Sequence, residues 1–323
     1  MGDFLSSCEI AVVIPCYRVA QQIIGVIREI GPEVSKIYVV DDACPEHSGN
    51  LVKDHVKDPR VSVIFHPENQ GVGGAVITGY KAALEVDAEI IVKLDGDGQM
   101  DPRKIITLIQ PIRDGEADYV KGDRLDSLTG LAQMPSIRLI GNAGLTLLNK
   151  ISSGYWNVKD PTNGFTAIHA DVLKTLHLDK LSKRFFFESD MLFRLNISRA
   201  VVQDVPIDAL YSDEKSNLRI FKVLLQFPWK LFVNFHKRLF YNYYLRDISA
   251  ASIELPVGAL LWWFGFFHGV NAFLESAATG QTASTGTVML AVLPLILGFQ
   301  LILAFISYDV ENVPTKPKHR RQK

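Results

Sequence analysis

The sequence predicts an α/β fold: a mostly parallel sheet covered by helices, then amphipathic helices, then a pair of membrane-spanning helices. Three observations carry this. Up to about residue 217, short β-branched apolar runs alternate with segments of helical periodicity. Residues 253–274 and 287–308 are long apolar stretches. The chain between mixes aromatic and aliphatic residues with Lys and Arg.

The strands are expected at 9–17 (EIAVVIPCY), 36–43 (KIYVVDDA), 60–67 (RVSVIFHP), 88–95 (AEIIVKLD) and 117–123 (ADYVKGD). Most are apolar on both faces, as parallel strands buried under helices must be. Between them AQQIIGVIREI stops at Gly31-Pro32, and GGAVITGYKAALEV and PRKIITLIQPIRDG have helical spacing. An open α/β sheet binds ligands beyond the carboxyl ends of its strands. Asp41-Asp42 and Asp95/Asp97 fall at such ends.

Each C-terminal apolar stretch reaches the roughly 20 residues that span a bilayer. The second has no charged residue; the first carries Glu254 at its edge and His268 inside. Lys230, Lys237, Arg238 and Arg246 precede the first, KPKHRRQK ends the chain, and the connecting ESAATGQTASTG has no Lys or Arg. The positive-inside rule then places both termini and the α/β domain in the cytoplasm. Residues 218–247 suit helices lying in the headgroup plane, broken near Pro228; a helix packed on the α/β domain is the other reading. The expected organisation is a domain at 1–217, juxtamembrane helices at 218–249 and a hairpin with a basic tail at 250–323. Gly258, Gly265 and Gly269 offer small faces for helix packing, within one chain or in a homo-oligomer.

A net charge of −1 over 323 residues points to no nucleic acid. Cys8, Cys16 and Cys44 are an odd set without metal-ligand spacing, which suits a reducing compartment. The opening MGDFLSSCE lacks the basic and apolar regions of a signal peptide.

The chemistry concentrates in KLDGDGQMDP, residues 93–102. An Asp-x-Asp pair on a loop after a buried strand is a hard-oxygen ligand set for Mg²⁺ or Mn²⁺, leaving other positions to water and substrate phosphates. Gln99 adds an oxygen on the same loop. A solvated turn is the alternative, and Asp101 before Pro102 reads as a helix cap. The pair Asp41-Asp42 suits hydrogen bonds from a base or ribose. NQGVGGAVITGY puts Gly71, Gly73 and Gly74 at a helix start, either for close approach to an anion or as a tight turn.

VVIPCY, VVDD, NQGVGGA, KLDGDGQMDP and VKGDRL, in this order, resemble a family 2 glycosyltransferase with the Rossmann-like nucleotide-sugar-binding fold called GT-A. With the hairpin, the chain is similar to the polyprenyl-phosphate glycosyltransferases, the dolichyl-phosphate mannose synthase group. The resemblance covers about residues 9–220. It implies that Asp95, Asp97 and Gln99 hold the metal, with Asp97 catalytic, and that Pro15, Tyr17, Asp42 and Asp95 line the nucleotide. It places Arg124, Arg138 and Asn142 at the acceptor phosphate and Asn163 and Gly164 beneath the sugar, which Glu188 and Asp190 face.

The sequence departs from that pattern in places. Arg18-Val19-Ala20 follow Tyr17 where Asn and acidic residues are usual, and Ala43-Cys44 replace Gly-Ser after the acidic pair. YSDEKSNLR lacks the usual arginine and glycine; Lys215 or Arg219 is the candidate replacement at the acceptor phosphate. The reaction implied is inverting transfer of one sugar from a nucleotide-diphosphate sugar, UDP favoured over GDP, to a dolichyl or undecaprenyl phosphate at the cytoplasmic membrane face. Two alternatives share the fold: a processive polysaccharide synthase, whose extra spans and Gln-x-x-Arg-Trp motif are absent from this sequence, and a non-catalytic membrane scaffold. A sugar-nucleotide pyrophosphorylase would need a basic glycine-rich loop after the first strand, where PCYRVAQQI has one Arg and no glycine.

Overall fold

The structure, a computed structural model, describes residues 9–124, 136–207 and 220–322. The five expected strands are present: β1 (Ile10–Cys16), β2 (Lys36–Asp41), β3 (Val61–Phe65), β4 (Ile90–Lys93) and β5 (Tyr119–Asp123). Two more, β6 (Thr166–His169) and β7 (Val202–Pro206), complete a seven-stranded sheet of order β3-β2-β1-β4-β6-β5-β7. Only β6 runs antiparallel, to both β4 and β5; the other pairings are parallel. β1, β2 and β4 are almost wholly buried, which explains their unbroken apolar runs. The edge strand β3 is half-exposed.

The helices between strands are α1 (Ile23–Arg28), α2 (Ser48–His55), α3 (Val72–Glu85) and α4 (Ile105–Arg113). Then come α5 (Ser136–Ser153), α6 (Ala170–Lys174) and α7 (Phe187–Ile197). Ile23, Val26 and Ile27 from α1 and Ile105, Leu108, Ile109 and Ile112 from α4 pack on Val12, Ile14, Val39 and Val92 in the principal core.

Helix α8 (Ile220–Phe240) runs through Pro228 without the expected break. An interior proline removes a hydrogen bond and costs about 3 kcal/mol. Here the turns that follow are anchored. Ser152 donates to the Leu231 carbonyl at 2.9 Å, Asn234 donates to Asp190 at 3.3 Å, and Arg238 donates to the carbonyls of Ser152 and Ile151 at 3.2 and 2.9 Å. Leu231, Asn234 and Arg238, spaced i, i+3, i+7, form the buried face, whereas Trp229 and Phe232 are exposed. Arg238, counted above among the loop charges, is therefore interior to the fold.

The chain divides into two compact units, Met1–Arg238 with Pro314–Lys323, and Leu239–Val313. The second holds α9 (Ala250–Thr279) and α10 (Thr285–Glu311), both long and apolar enough to cross a membrane. They contain the stretches 253–274 and 287–308. Glycine brings their backbones together: a Cβ at Gly258 would lie 2.9 Å from the Gly298 carbonyl, and one at Gly265 would lie 2.6 Å from that of Ala291. The small face of α9 is thus used within the hairpin. Asp309 accepts from the Tyr243 hydroxyl at 2.5 Å.

The basic tail is not a solvated end. Asp118, just before β5, accepts from the backbone N–H of Lys318 at 2.8 Å, of His319 at 3.0 Å and of Val201 at 2.8 Å, and pairs with His319 Nδ1 at 2.7 Å. The His319 ring stacks on His169, centroids 4.4 Å apart. Burial opposes ionisation of Asp118, but the His319 hydrogen bond and these backbone donors outweigh it and hold its carboxyl below the usual range. A carboxylate whose pKa is lowered by folding stabilises above its unfolded value, and that contribution is lost as pH falls through the folded one. Asp118→Asn is accordingly expected to lower stability by about 2 kcal/mol at neutral pH. Its stability should also fall less steeply than wild type between about pH 4 and pH 2. Denaturation of both proteins across that range checks it; parallel acid limbs would show that the carboxylate does not carry the contact.

Candidate active site

Register fixes which residues meet at the sheet edge. Cys16 lies opposite Asp41, so β1 and β2 end together, while β4 stops three residues earlier, with Lys93 opposite Val13. The antiparallel β6 starts at that edge, with Thr166 paired to Lys93 on one side and Lys121 on the other. Residues 160–165 consequently pass beside the ends of β4 and β5.

Lys93 is 1% exposed. Its ammonium donates to Asp95 Oδ1 at 2.7 Å and to the Gly164 carbonyl at 3.1 Å, and lies 3.3 Å from Glu188 Oε1. Burial works against its charge, but Asp95 and Glu188 outweigh burial and hold its pKa above the usual lysine value. Lys121, also buried, donates to the Asn163 carbonyl at 2.7 Å; burial brings its pKa down to about 8. The Asn163 side chain donates to the Gly122 carbonyl at 2.5 Å and accepts from the Phe165 N–H at 3.0 Å. Gly164 leaves room for the cluster: a Cβ there would lie 2.6 Å from Asp95 Oδ2 and press on the Lys93 ammonium, so both charged groups would have to shift.

The loop after β4 turns tightly. Asp97 Oδ1 accepts from the Gln99 N–H at 3.0 Å, and Gly98 takes φ +76°. Asp101 caps a short 3₁₀ turn, Pro102–Lys104, through the Arg103 N–H at 3.0 Å, the cap read from the sequence. Asp95 and Asp97 are therefore the carboxylates of this loop not used as caps.

On the opposite side of β1, Tyr17 is exposed and Arg18 lies 5.4 Å from its ring centroid; Pro15 is half-buried. Arg18 and Ala43 adopt φ +59° and +52°, left-handed conformations unusual for non-glycine residues. Ala43 stands where the family pattern has glycine. Asp42 is buried: it accepts from His66 Nδ1 and the Gln70 N–H at 2.8 Å each and from the Gly71 N–H at 2.7 Å. It fixes the glycine turn. Gly71 and Gly73 admit the carbonyls of Lys183 and Ser182, so close approach there serves the protein's own chain.

Arg124 pairs through Nε and Nη2 with Asp160 at 2.8 and 3.3 Å. Glu188 and Asp190 separate, because i and i+2 on a helix project about 200° apart. Glu188 reaches Lys93; Asp190 accepts from Ser182 N–H at 2.9 Å, Arg194 at 3.1 Å and Asn234 at 3.3 Å. Arg138 and Asn142 fall on α5 with side chains outside the described part, and Lys215 and Arg219 lie outside the described residues. Reading the sequence missed Lys93, Lys121 and Asp160; a lysine within each of two otherwise buried strands was the available signal.

The model of the glycosyl transferase family 2 domain matches residues 11–176. The chain belongs to glycosyl transferase family 2. This glycosyltransferase is 31% identical over 218 residues to the UDP-N-acetylglucosamine–dolichyl-phosphate N-acetylglucosaminyltransferase of Methanococcus voltae, covering 63% of this chain and 86% of that protein. It is 32% identical over 200 residues to the undecaprenyl-phosphate mannosyltransferase of Micrococcus luteus, covering 60% and 81%. Its fold matches glucosyl-3-phosphoglycerate synthase from Mycobacterium tuberculosis, solved with Mn²⁺, UDP and glucosyl-3-phosphoglycerate. The TM-score is 0.53 at 17% identity, over 72% of this chain and 80% of that one. That likeness shows the GT-A fold.

The donor set of this family 2 enzyme suits a hard cation. Among the described residues, no three His, Cys, Asp or Glu side chains gather to hold a metal. Two carboxylates on one loop suffice for Mg²⁺ or Mn²⁺ when a diphosphate supplies further oxygens. Lys93→Met, which leaves Asp95 and Glu188 without their buried cation, is expected to destabilise the catalytic unit by about 3 kcal/mol. A thermal melt reads this directly; a melting temperature equal to wild type would show that the cluster is held together otherwise.

Proposed function

We propose that this protein transfers a single sugar from a nucleotide-diphosphate sugar, UDP-linked in preference to GDP-linked, to a polyprenyl phosphate at the cytoplasmic face of a membrane, with inversion at the anomeric carbon. The observation carrying this reading is one sheet in which β4 leads into the Asp95/Asp97 loop and β5, one strand away across β6, leads into Arg124, in a family 2 chain that also has two apolar helices. The acceptors named for the relatives are dolichyl and undecaprenyl phosphates. UDP is named for the Methanococcus relative and for the fold neighbour, which supports the donor preference.

In this reading Pro15, Tyr17 and Asp42 form the nucleotide side, Asp42 by shaping the 69–71 turn. Asp95 and Asp97, with Gln99, would hold Mg²⁺ or Mn²⁺, which when bound supplies Lewis-acid stabilisation of the departing diphosphate. Asn163, Gly164 and Glu188 line the sugar, and Lys93, 3.3 Å from Glu188, holds that carboxylate in place to accept from its hydroxyls. Asp190 supports the helix that carries Glu188. Arg124, with Arg138, Asn142 and Lys215, orients the acceptor phosphate. That phosphate, with a second pKa near 6, is already largely ionised and needs no strong general base.

The two ends of the Leu239–Val313 unit both join the catalytic unit, at Arg238 and Pro314. Such connectivity supports an even number of crossings and a C-terminus on the catalytic side, in agreement with loop charge. The exposed Trp229 and Phe232 on α8 suit a headgroup-level surface.

The test is purified full-length protein with polyprenyl phosphate, Mn²⁺ or Mg²⁺ and a panel of UDP- and GDP-sugars, lipid products being read by mass. One product that disappears with EDTA is expected, and Asp97→Ala should reduce its formation at least a hundredfold, about 2.7 kcal/mol of transition-state stabilisation, while the protein stays folded and membrane-bound. Undiminished turnover by Asp97→Ala would exclude the carboxylate loop from the chemistry.

A further inference from the structure

We propose that Asp160 is the positioning residue for Arg124, and that residues 160–164 are a fixed spacer between the acceptor-phosphate arginine and the donor-side carboxylates. The inference rests on the transfer reaction proposed above and adds a residue to it.

Arg124 stands at the end of β5 with its side chain 38% exposed. A long exposed side chain of this kind samples many rotamers. Pairing through Nε to Oδ2 and Nη2 to Oδ1 of Asp160, at 2.8 and 3.3 Å, fixes the guanidinium plane as one bond could not. Asp160 is itself 3% exposed and held: its Oδ1 accepts from the Thr162 hydroxyl at 3.1 Å, and its carbonyl accepts from the Asn163 N–H at 3.4 Å.

The rest of the segment is tied to two strands. Lys121 from β5 donates to the Asn163 carbonyl, the Asn163 side chain donates to the Gly122 carbonyl, and Lys93 from β4 donates to the Gly164 carbonyl. Gly164 lies directly against Asp95. One end of five residues therefore orients Arg124 and the other touches the first carboxylate of the donor loop. The spacing between the two half-sites is set by this backbone.

Asp160 could instead compete with the acceptor phosphate for Arg124. Its burial argues otherwise: an arginine that left would abandon a nearly inaccessible carboxylate without its partner, which is strongly unfavourable. Arg124 meets the phosphate where Asp160 holds it.

Asp160→Asn in the full-length protein tests this, with polyprenyl phosphate and donor varied separately. The KM for polyprenyl phosphate is expected to rise about tenfold, while donor KM and Mn²⁺-dependent nucleotide binding stay within about twofold of wild type. In an Arg124→Ala background, Asp160→Asn should add nothing further. An unchanged KM for the lipid phosphate, a lower one, or an effect that persists without Arg124 would each overturn the positioning role. Asp160→Glu keeps the charge on a longer arm and should show the same selective rise at smaller size. If the Asn variant does not fold, a wild-type lipid-phosphate KM in the Glu variant overturns the proposal. Absence of turnover by wild type would overturn the reaction reading itself, whereas wild-type turnover with an unmoved variant overturns only the role of Asp160.

Discussion

A single buried ammonium organises the candidate site. Lys93 emerges from the apolar strand β4, and its charge is matched by Asp95 at 2.7 Å and Glu188 at 3.3 Å, with the Gly164 carbonyl as third partner. Those three groups come from the loop after β4, the start of α7 and the segment before β6. An unpaired charge at that depth would be prohibitive, so the fold is bound to bring all three elements to one place. The two carboxylates are in turn oriented by Lys93 before any ligand arrives. Preorganisation of this kind is what a site handling a diphosphate requires, because groups that need not reorient act at full strength in the transition state.

The sheet topology follows the same logic. A parallel strand between β4 and β5 would have carried the 160–165 segment away from the catalytic edge; antiparallel β6 enters from that edge, so its leading residues lie among the strand ends. Thr166 sits between Lys93 and Lys121 in register, and the two lysines seize successive carbonyls, Asn163 and Gly164. The break in the parallel pattern is where the site is built.

Much of this was legible in the sequence, for identifiable reasons. The parallel strands are continuous apolar runs, the hairpin helices exceed what a soluble core needs, and Asp-x-Asp after a strand is a local pattern. What escaped is tertiary. β6 is four residues long and reads as loop; Lys93 and Lys121 look like solvated charges until burial is known. Glu188 and Asp190 look like a pair in the sequence, but helical geometry sends them to opposite faces. The continuity of α8 through Pro228 depends on anchors to Ser152, Ile151 and Asp190 that lie more than forty residues away. The tail's attachment joins residues about two hundred positions apart.

Those same distant contacts give α8 a physical route to the site. On α8, Trp229 and Phe232 lie exposed while Asn234, on the buried face, donates to Asp190. Asp190 also accepts from Arg194 and from the Ser182 N–H, so it locks the first turns of α7. Two residues earlier, on the other face of that helix, Glu188 meets Lys93. One short helix thus stands between a surface suited to lipid headgroups and the charged cluster behind the donor loop. A shift of α8 would bear on α5 through Ser152 and Ile151 and on α7 through Asp190. Such a chain of contacts, from Asn234 through Asp190 and α7 to Glu188 and Lys93, ties the packing of α8 to the geometry of the charged cluster.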